Sequence, residues 1–179
     1  MTHPKEEKTL VLIKPDGVQR SLIGEIVRRY ERSGLKLVGL KMTVPTKELV
    51  EKHYLVDPEW RVKTGKKTIE SYLKKYMVKG PVIAMVWQGM HSVGIVRKIT
   101  GGTEPLTSDV GTIRGDLTID SYEVADIDTR AVRNLIHASG STDDAEKEIA
   151  LWFGKDELIK YKLVGEAILY DINLDGILE

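Results

Sequence analysis

The chain has 179 residues, no cysteine, and a formal net charge of zero from 27 basic and 27 acidic side chains. That length can bury a full hydrophobic core without staples, and the lack of cysteine removes disulfides, zinc ribbons and thiol catalysis together. Zero net charge argues against a dedicated nucleic-acid binder, whose footprint is a strong positive excess, yet it is compatible with a local cationic pocket for a small anion.

The N-terminus, Met1 to Lys8, is polar and lacks an apolar signal core. No stretch is long enough to span a bilayer, so a cytoplasmic protein with no membrane partner is expected. Thr9 to Lys14 is a continuous apolar run ending in lysine, the mark of a strand covered on both faces. Pro15-Asp16-Gly17 breaks it as a tight turn. Leu22, Ile23, Ile26, Val27 and Tyr30 recur at helical spacing, with Gly34 placed as the C′ residue. Residues 35–44 return to a strand pattern stopped by Pro45, and 46–54 read as a short helix.

Residues 58–78 are charged, with Ile69, Tyr72, Leu73 and Tyr76 spaced for an amphipathic helix. Pro81 to Trp87 reads as a buried strand, and Val93, Val96 and Ile99 mark a helix ending at Gly101-Gly102. A turn-rich segment covers 103–115, and 118–133 is mixed in character. Residues 133–139 form a short apolar strand carrying His137. Ser141-Thr142-Asp143-Asp144 is a capping-box pattern that opens a helix through Phe153, and Glu166–Tyr170 reads as a final strand. The order is that of an α+β, ferredoxin-like split βαβ sandwich, an antiparallel sheet with helices packed on it. One domain, 1–179, is expected, with a flexible N-terminus over 1–8 and an extended C-terminal tail over 164–179.

His137 leaves its strand close to a helix N-terminus, where backbone N–H groups favour an anion. A neutral imidazole there is a competent nucleophile near pH 7; a half-buried structural histidine is the bland alternative. Asn134, three residues earlier, points to the opposite face of a regular strand, and Glu148 in the next helix is placed to orient the ring. Lys14 at the sheet's rim suits phosphate oxygens, or else only snorkels to water. In Gly111-Thr112-Ile113-Arg114-Gly115-Asp116 the glycines let the backbone approach a ligand and Arg114 offers a planar fork, unless Arg114 merely pairs with Asp116. Arg97 falls on the helix before Gly101-Gly102, where an arginine is usually a solvated face residue, and the Thr103 hydroxyl after the two glycines can donate to a phosphate. P-loop, dinucleotide and protein-kinase signatures are absent, and the histidines at 3, 53, 91 and 137 are too scattered to suggest a metal site.

Lys14-Pro15-Asp16-Gly17, Gly111 to Asp116 and Asn134 to Ser139, followed by Ala145-Glu146-Lys147-Glu148-Ile149 and Leu151-Trp152-Phe153, together resemble the nucleoside diphosphate kinase family. The resemblance covers residues 8–54, 79–117 and 133–162. It implies reversible transfer of a γ-phosphate from a nucleoside triphosphate to a diphosphate by a ping-pong route, through a phosphohistidine on His137, at Nδ1. It implies that Lys14 contacts phosphate and the sugar 3′-hydroxyl, that Arg97, Thr103 and Arg114 grip phosphates, and that Asn134 contacts the sugar. Glu148 and Ser139 match the support of the histidine, and Tyr54 matches an active-site tyrosine. Mg²⁺ rides in on the nucleotide, and bases are accepted broadly because they stack on an aromatic side chain, here Trp60. A homohexamer is implied as well. The chain departs from the family in longer segments at 58–78 and 118–133, in a longer tail from Val164, and in Gly140, which replaces an Asp and is expected to loosen the turn after the histidine. Two other classes remain open: a nucleotide-binding domain without turnover, and a ferredoxin-like nucleic-acid module, disfavoured by the neutral charge.

Overall fold

Strand β1 (Glu6–Ile13) lies inside the sheet, and its last five residues are buried. Leu10 and Leu12 enter one hydrophobic cluster with Val50, Val82, Ala84, Trp152 and Phe153, whereas Val11 and Ile13 enter another with Ile26, Tyr30, Ile83, Met85 and Trp87. Successive strand side chains face opposite sides, so a strand clothed on both faces must be apolar throughout. That is why the run shows no alternation. The structure, a computed structural model, describes residues 3–56, 74–173 and 175.

The remaining elements follow in chain order. Helices α1 (Pro15–Gln19) and α2 (Ile23–Glu31) precede β2 (Lys36–Thr43). Helix α3 (Lys47–Tyr54) is capped by the Thr46 hydroxyl, which accepts from the Leu49 N–H at 3.2 Å. Then come α4 (Lys74–Met77), β3 (Val82–Met90), α5 (Ser92–Thr100), α6 (Ile113–Leu117) and α7 (Tyr122–Ile127). Strand β4 (Ile136–Ala138), α8 (Thr142–Trp152), a 3₁₀ turn (Lys155–Glu157) and α9 (Glu166–Leu169) complete the order. The sheet runs β2-β3-β1-β4 with every neighbouring pair antiparallel, the ferredoxin-like arrangement expected. Among the described residues no helix is long and apolar enough to cross a membrane.

Four readings need correction. Glu166–Tyr170 is not a strand: Glu166–Leu169 is helical, as befits a run of strong helix formers. The tail instead grips β2 through side chains, Lys36 Nζ to Glu166 Oε1 at 2.6 Å and the Tyr161 hydroxyl to the Leu37 carbonyl at 2.6 Å. Pro15-Asp16-Gly17 starts a helix rather than a tight turn, with proline at its first position, where no N–H is missed. Gly34, with φ 87°, lies two residues beyond the Arg32 C-cap of α2, one past the expected place. The strand carrying His137 spans three residues, not seven. Of the helix expected within 58–78, all but Lys74–Met77 and the turn after it lies outside the described residues.

Candidate active site

Register places His137. It pairs with Leu12 of β1, while Ile136 and Ala138 pair with Ile13 and Val11. Paired residues share a face, so His137 emerges on the Leu12 side, among α3 and α8, and Ile136 joins the opposite core. There its Nε2 lies 2.9 Å from Glu148 Oε2, and the same carboxylate oxygen accepts the Ser139 hydroxyl at 2.6 Å. Burial pushes the Glu148 carboxyl up, but the His137 charge and hydrogen bond, His53 and the Ser139 hydroxyl outweigh it and hold it below the ordinary carboxylate range. In the neutral ring, a carboxylate accepting from Nε2–H leaves the lone pair on Nδ1. Ser139 is itself fixed to β1, accepting from the Leu10 N–H at 3.1 Å.

Asn134 does not point away from His137. Leu135 has φ 65°, and the Ile136 N–H donates to the Asn134 carbonyl at 2.7 Å, so a γ-turn interrupts the strand. A buried leucine in the left-handed region costs on the order of 1–2 kcal/mol, and the surroundings over-determine it. The Leu135 N–H donates to Asp16 Oδ2 at 3.1 Å, and the Leu135 carbonyl accepts from the Lys14 N–H at 2.8 Å. Arg114 grips both ends of the turn, Nε to the Asn134 carbonyl at 3.2 Å and Nη2 to the Ile136 carbonyl at 2.6 Å. The reversal brings the Asn134 amide and His137 into one cavity.

That cavity, of about 580 Å³, is lined by Lys14, Tyr54, Arg97, Thr103, Arg114, Asn134, His137 and Glu148, eight of the ten side chains named from sequence. Ser139 lies behind Glu148, fully buried. Trp60 falls outside the described residues. The Lys14 ammonium donates to Asn134 Oδ1 at 2.7 Å, and the Asn134 amide donates to the Thr103 carbonyl at 2.8 Å. Burial, with the Arg114 charge, pulls Lys14 down to about 8, against a smaller upward pull from Asp16.

Arg114 does not pair with Asp116. Its Nη1 donates to the Gly101 and Gly102 carbonyls at 3.1 and 2.8 Å, while Asp116 binds Arg29 and the Gly111 N–H. Gly115 does not open the backbone to a ligand either; a Cβ there would collide with the Asp109 carbonyl oxygen. The turn at Gly140 is held without an Asp, because the Ser141 hydroxyl accepts from the Asp144 N–H at 3.1 Å and donates to its carboxylate at 2.7 Å. Residues 120–132, mixed in sequence, contribute Tyr122, Asp126 and Arg130 to the cavity wall.

Two participants were missed by sequence reasoning. Asp16 secures the γ-turn, and its signal was its place within Lys14-Pro15-Asp16-Gly17. His53 is 3% exposed and stacks edge-on to His137 with ring centres 4.4 Å apart. It lies 84 positions away in sequence, and no spacing rule could have joined the two.

The family model described as nucleoside diphosphate kinase matches residues 7–158. A nucleoside diphosphate kinase of Pyrobaculum aerophilum is 40% identical over 180 residues, covering 86% of this chain and 98% of its own. Nucleoside diphosphate kinase A of Rattus norvegicus is 42% identical over 165 residues, covering 92% and 97%. A solved Borrelia burgdorferi nucleoside-diphosphate kinase, a transition-state mimic with vanadate and ADP bound, superposes with a TM-score of 0.88 at 39% identity, covering 92% of this chain and 97% of its own. A halophilic nucleoside diphosphate kinase from Halobacterium salinarum in complex with CDP gives 0.78 at 38% identity, covering 93% and 99%. Sequence and fold agree over nearly the whole described chain: it belongs to the nucleoside diphosphate kinase family, enzymes that transfer phosphate between nucleotides.

Proposed function

We propose that the chain, read as a single domain, moves the γ-phosphate of a nucleoside triphosphate onto a nucleoside diphosphate reversibly, in two half-reactions through His137. The observation that carries this reading is the Glu148–His137 contact at 2.9 Å, which leaves Nδ1 with its lone pair. In the first half-reaction that lone pair forms a bond to the γ-phosphorus as the bond to the β–γ bridging oxygen breaks, and the diphosphate leaves with the electron pair. In the second, a terminal oxygen of another diphosphate bonds to that phosphorus as the Nδ1–phosphorus bond breaks, and the electron pair returns to Nδ1 to restore the imidazole. Arg97, Arg114, Lys14 and Thr103 hold the phosphates and offset charge on the transferring group's oxygens, while Asn134 with Lys14 meets the sugar; Tyr54 packs beside His53 at the edge of the site. The vanadate–ADP complex of the Borrelia relative and the CDP complex of the Halobacterium relative support nucleotides as the substrates.

Mg²⁺ belongs to the substrate in this reading. Among the described residues the one cluster with metal-ligand spacing is His53, His137 and Glu148, two imidazoles to one carboxylate, ill suited to a hard cation that takes oxygen ligands. The family resemblance places the ion on the nucleotide's phosphates instead. Broad base tolerance, with Trp60 as stacking platform, a homohexameric assembly and a cytoplasmic setting complete the reading; they rest on the family resemblance and the sequence.

Incubation with γ-labelled ATP should leave acid-labile label on the protein, His137→Ala should carry none, and labelled enzyme should pass phosphate to several different diphosphates. An alanine variant that turns over normally would end the proposal. Nucleotide binding without any transfer would instead support a domain that binds without turnover.

A further inference from the structure

His53 is used by no step above, yet it is a buried imidazole against the phosphate carrier. It lies on α3, 3% exposed, and its Nδ1 accepts the Trp152 indole N–H from α8 at 3.2 Å. An indole nitrogen can only donate, so Nδ1 of His53 must be unprotonated and its proton sits on Nε2. The ring meets His137 at 83° with centres 4.4 Å apart, an edge-to-face packing, and meets Trp152 at 85° and Tyr54 at 68°. His137 is thus held by Glu148 at Nε2 and by the His53 ring against it.

Resting on the reading of His137 as the phosphate carrier, we propose that His53 is a positioning residue: an imidazole whose neutral tautomer is fixed by Trp152 and whose ring buttresses that of His137. Neutrality matters because phosphorylation develops positive charge on the His137 ring. A second cation at that distance would oppose it. The groups facing His53 are His137 on β4, Glu148 and Trp152 on α8, Lys14 after β1, and Tyr54 on its own helix. Burial dominates them, and the His137 and Lys14 charges reinforce it against Glu148, pulling His53 down to about 3. The indole bond also argues against reading His53, His137 and Glu148 as a metal site, although their donor atoms lie within 4.8 Å of one another. A metal needs a lone pair on His53, and the one it has is occupied.

Long-range ¹H–¹⁵N spectra of the wild-type imidazoles decide this without any substitution. Expected is a His53 signal of the Nε2–H tautomer that does not move between pH 5 and 8. Trp152→Phe should release the tautomer. His53→Ala should slow labelling of His137 by γ-labelled ATP roughly 10- to 100-fold, the loss that a misplaced reacting group brings. The ATP KM should stay within about twofold, since phosphate binding is untouched. His53→Phe, which restores a ring, should recover most of the rate. A Nδ1–H tautomer, a titration in that range, a His53→Ala variant labelled at the wild-type rate, or Zn²⁺ binding that His53→Phe abolishes would each overturn the inference. Label persisting on His137→Ala would instead overturn the role of His137 itself.

Discussion

Replacing Glu148 by glutamine keeps an oxygen where Oε2 lies and removes one negative charge. Both donors converge on that single oxygen, His137 Nε2 at 2.9 Å and the Ser139 hydroxyl at 2.6 Å, so the amide carbonyl can accept both and the geometry should persist. What changes is charge assistance. A hydrogen bond to a charged acceptor contributes about 1.5–3 kcal/mol against roughly 0.5–1.5 for a neutral one. The Glu148 side chain is 7% exposed, so solvent screens little of that difference. In the proposed mechanism positive charge develops on the imidazole as Nδ1 bonds to phosphorus, so about 1–1.5 kcal/mol should be lost in the transition state, roughly a tenfold slowing. Glu148→Ala removes the acceptor altogether and should cost on the order of 100-fold. Single-turnover labelling by γ-labelled ATP in a rapid-quench apparatus reads this step directly. A glutamine variant labelled at the wild-type rate, with its fold intact by thermal melting, would refute the electrostatic role assigned to Glu148.

Lys14, pulled down to about 8 by burial and then by Arg114, should give kcat/KM an alkaline limb near that pH. Bound phosphate favours the charged form, so the limb should move upward in the kcat profile, and Lys14→Arg should abolish it. The same shift makes protonated Lys14 a cost to the fold: stability should rise by up to about 3 kcal/mol as pH climbs from 8 through the unfolded lysine value. Asp120→Asn breaks a two-pronged contact with Arg130 at 2.6 and 2.8 Å, and chemical denaturation should show a loss of about 2–3 kcal/mol. The Arg130 hydrogen bond holds the Asp120 carboxyl below its usual value, so this contribution is complete above the unfolded aspartate pKa and fades as pH falls through the folded one. Gly115→Ala drives a methyl into the Asp109 carbonyl; a loss of about 1–3 kcal/mol with a raised nucleotide KM is expected, because Arg114 is the preceding residue.

The four strands and the longer helices, α2, α3, α5 and α8, were legible because their signals are local. The unbroken Thr9–Ile13 run announced a strand with both faces covered, and Ser141 announced the start of α8. Eight side chains of the cavity were named in advance as well, most from short motifs around Lys14, Arg114 and His137, Tyr54 and Arg97 through the family resemblance. What could not be read was non-local. The γ-turn at Leu135 carries an ordinary leucine at φ 65°, held there by Asp16 and Arg114 from other parts of the chain. Sequence regularity therefore put Asn134 on the wrong face. The Glu166–Leu169 error has another cause: a short apolar stretch carries too few periods to separate strand from helix.

Net charge misleads about this site, and the partners of its cations show why. Several other basic side chains are paired with carboxylates, Arg29 with Glu25 and Asp116, Lys36 with Glu166, and Arg130, on the cavity wall itself, with Asp120 and Asp128. Among the described residues no ion pair includes Lys14, Arg97 or Arg114. Arg114 is held by four backbone carbonyls, and Lys14 by the Asn134 amide oxygen. Dipoles orient a cation without cancelling it, so Lys14 and Arg114 keep their charge, as the proposed phosphate contacts require. The cost is visible in Lys14, whose charged form burial and Arg114 disfavour. A chain with equal numbers of acids and bases can therefore still gather Lys14, Arg97 and Arg114, none of them in an ion pair among the described residues, on one cavity wall.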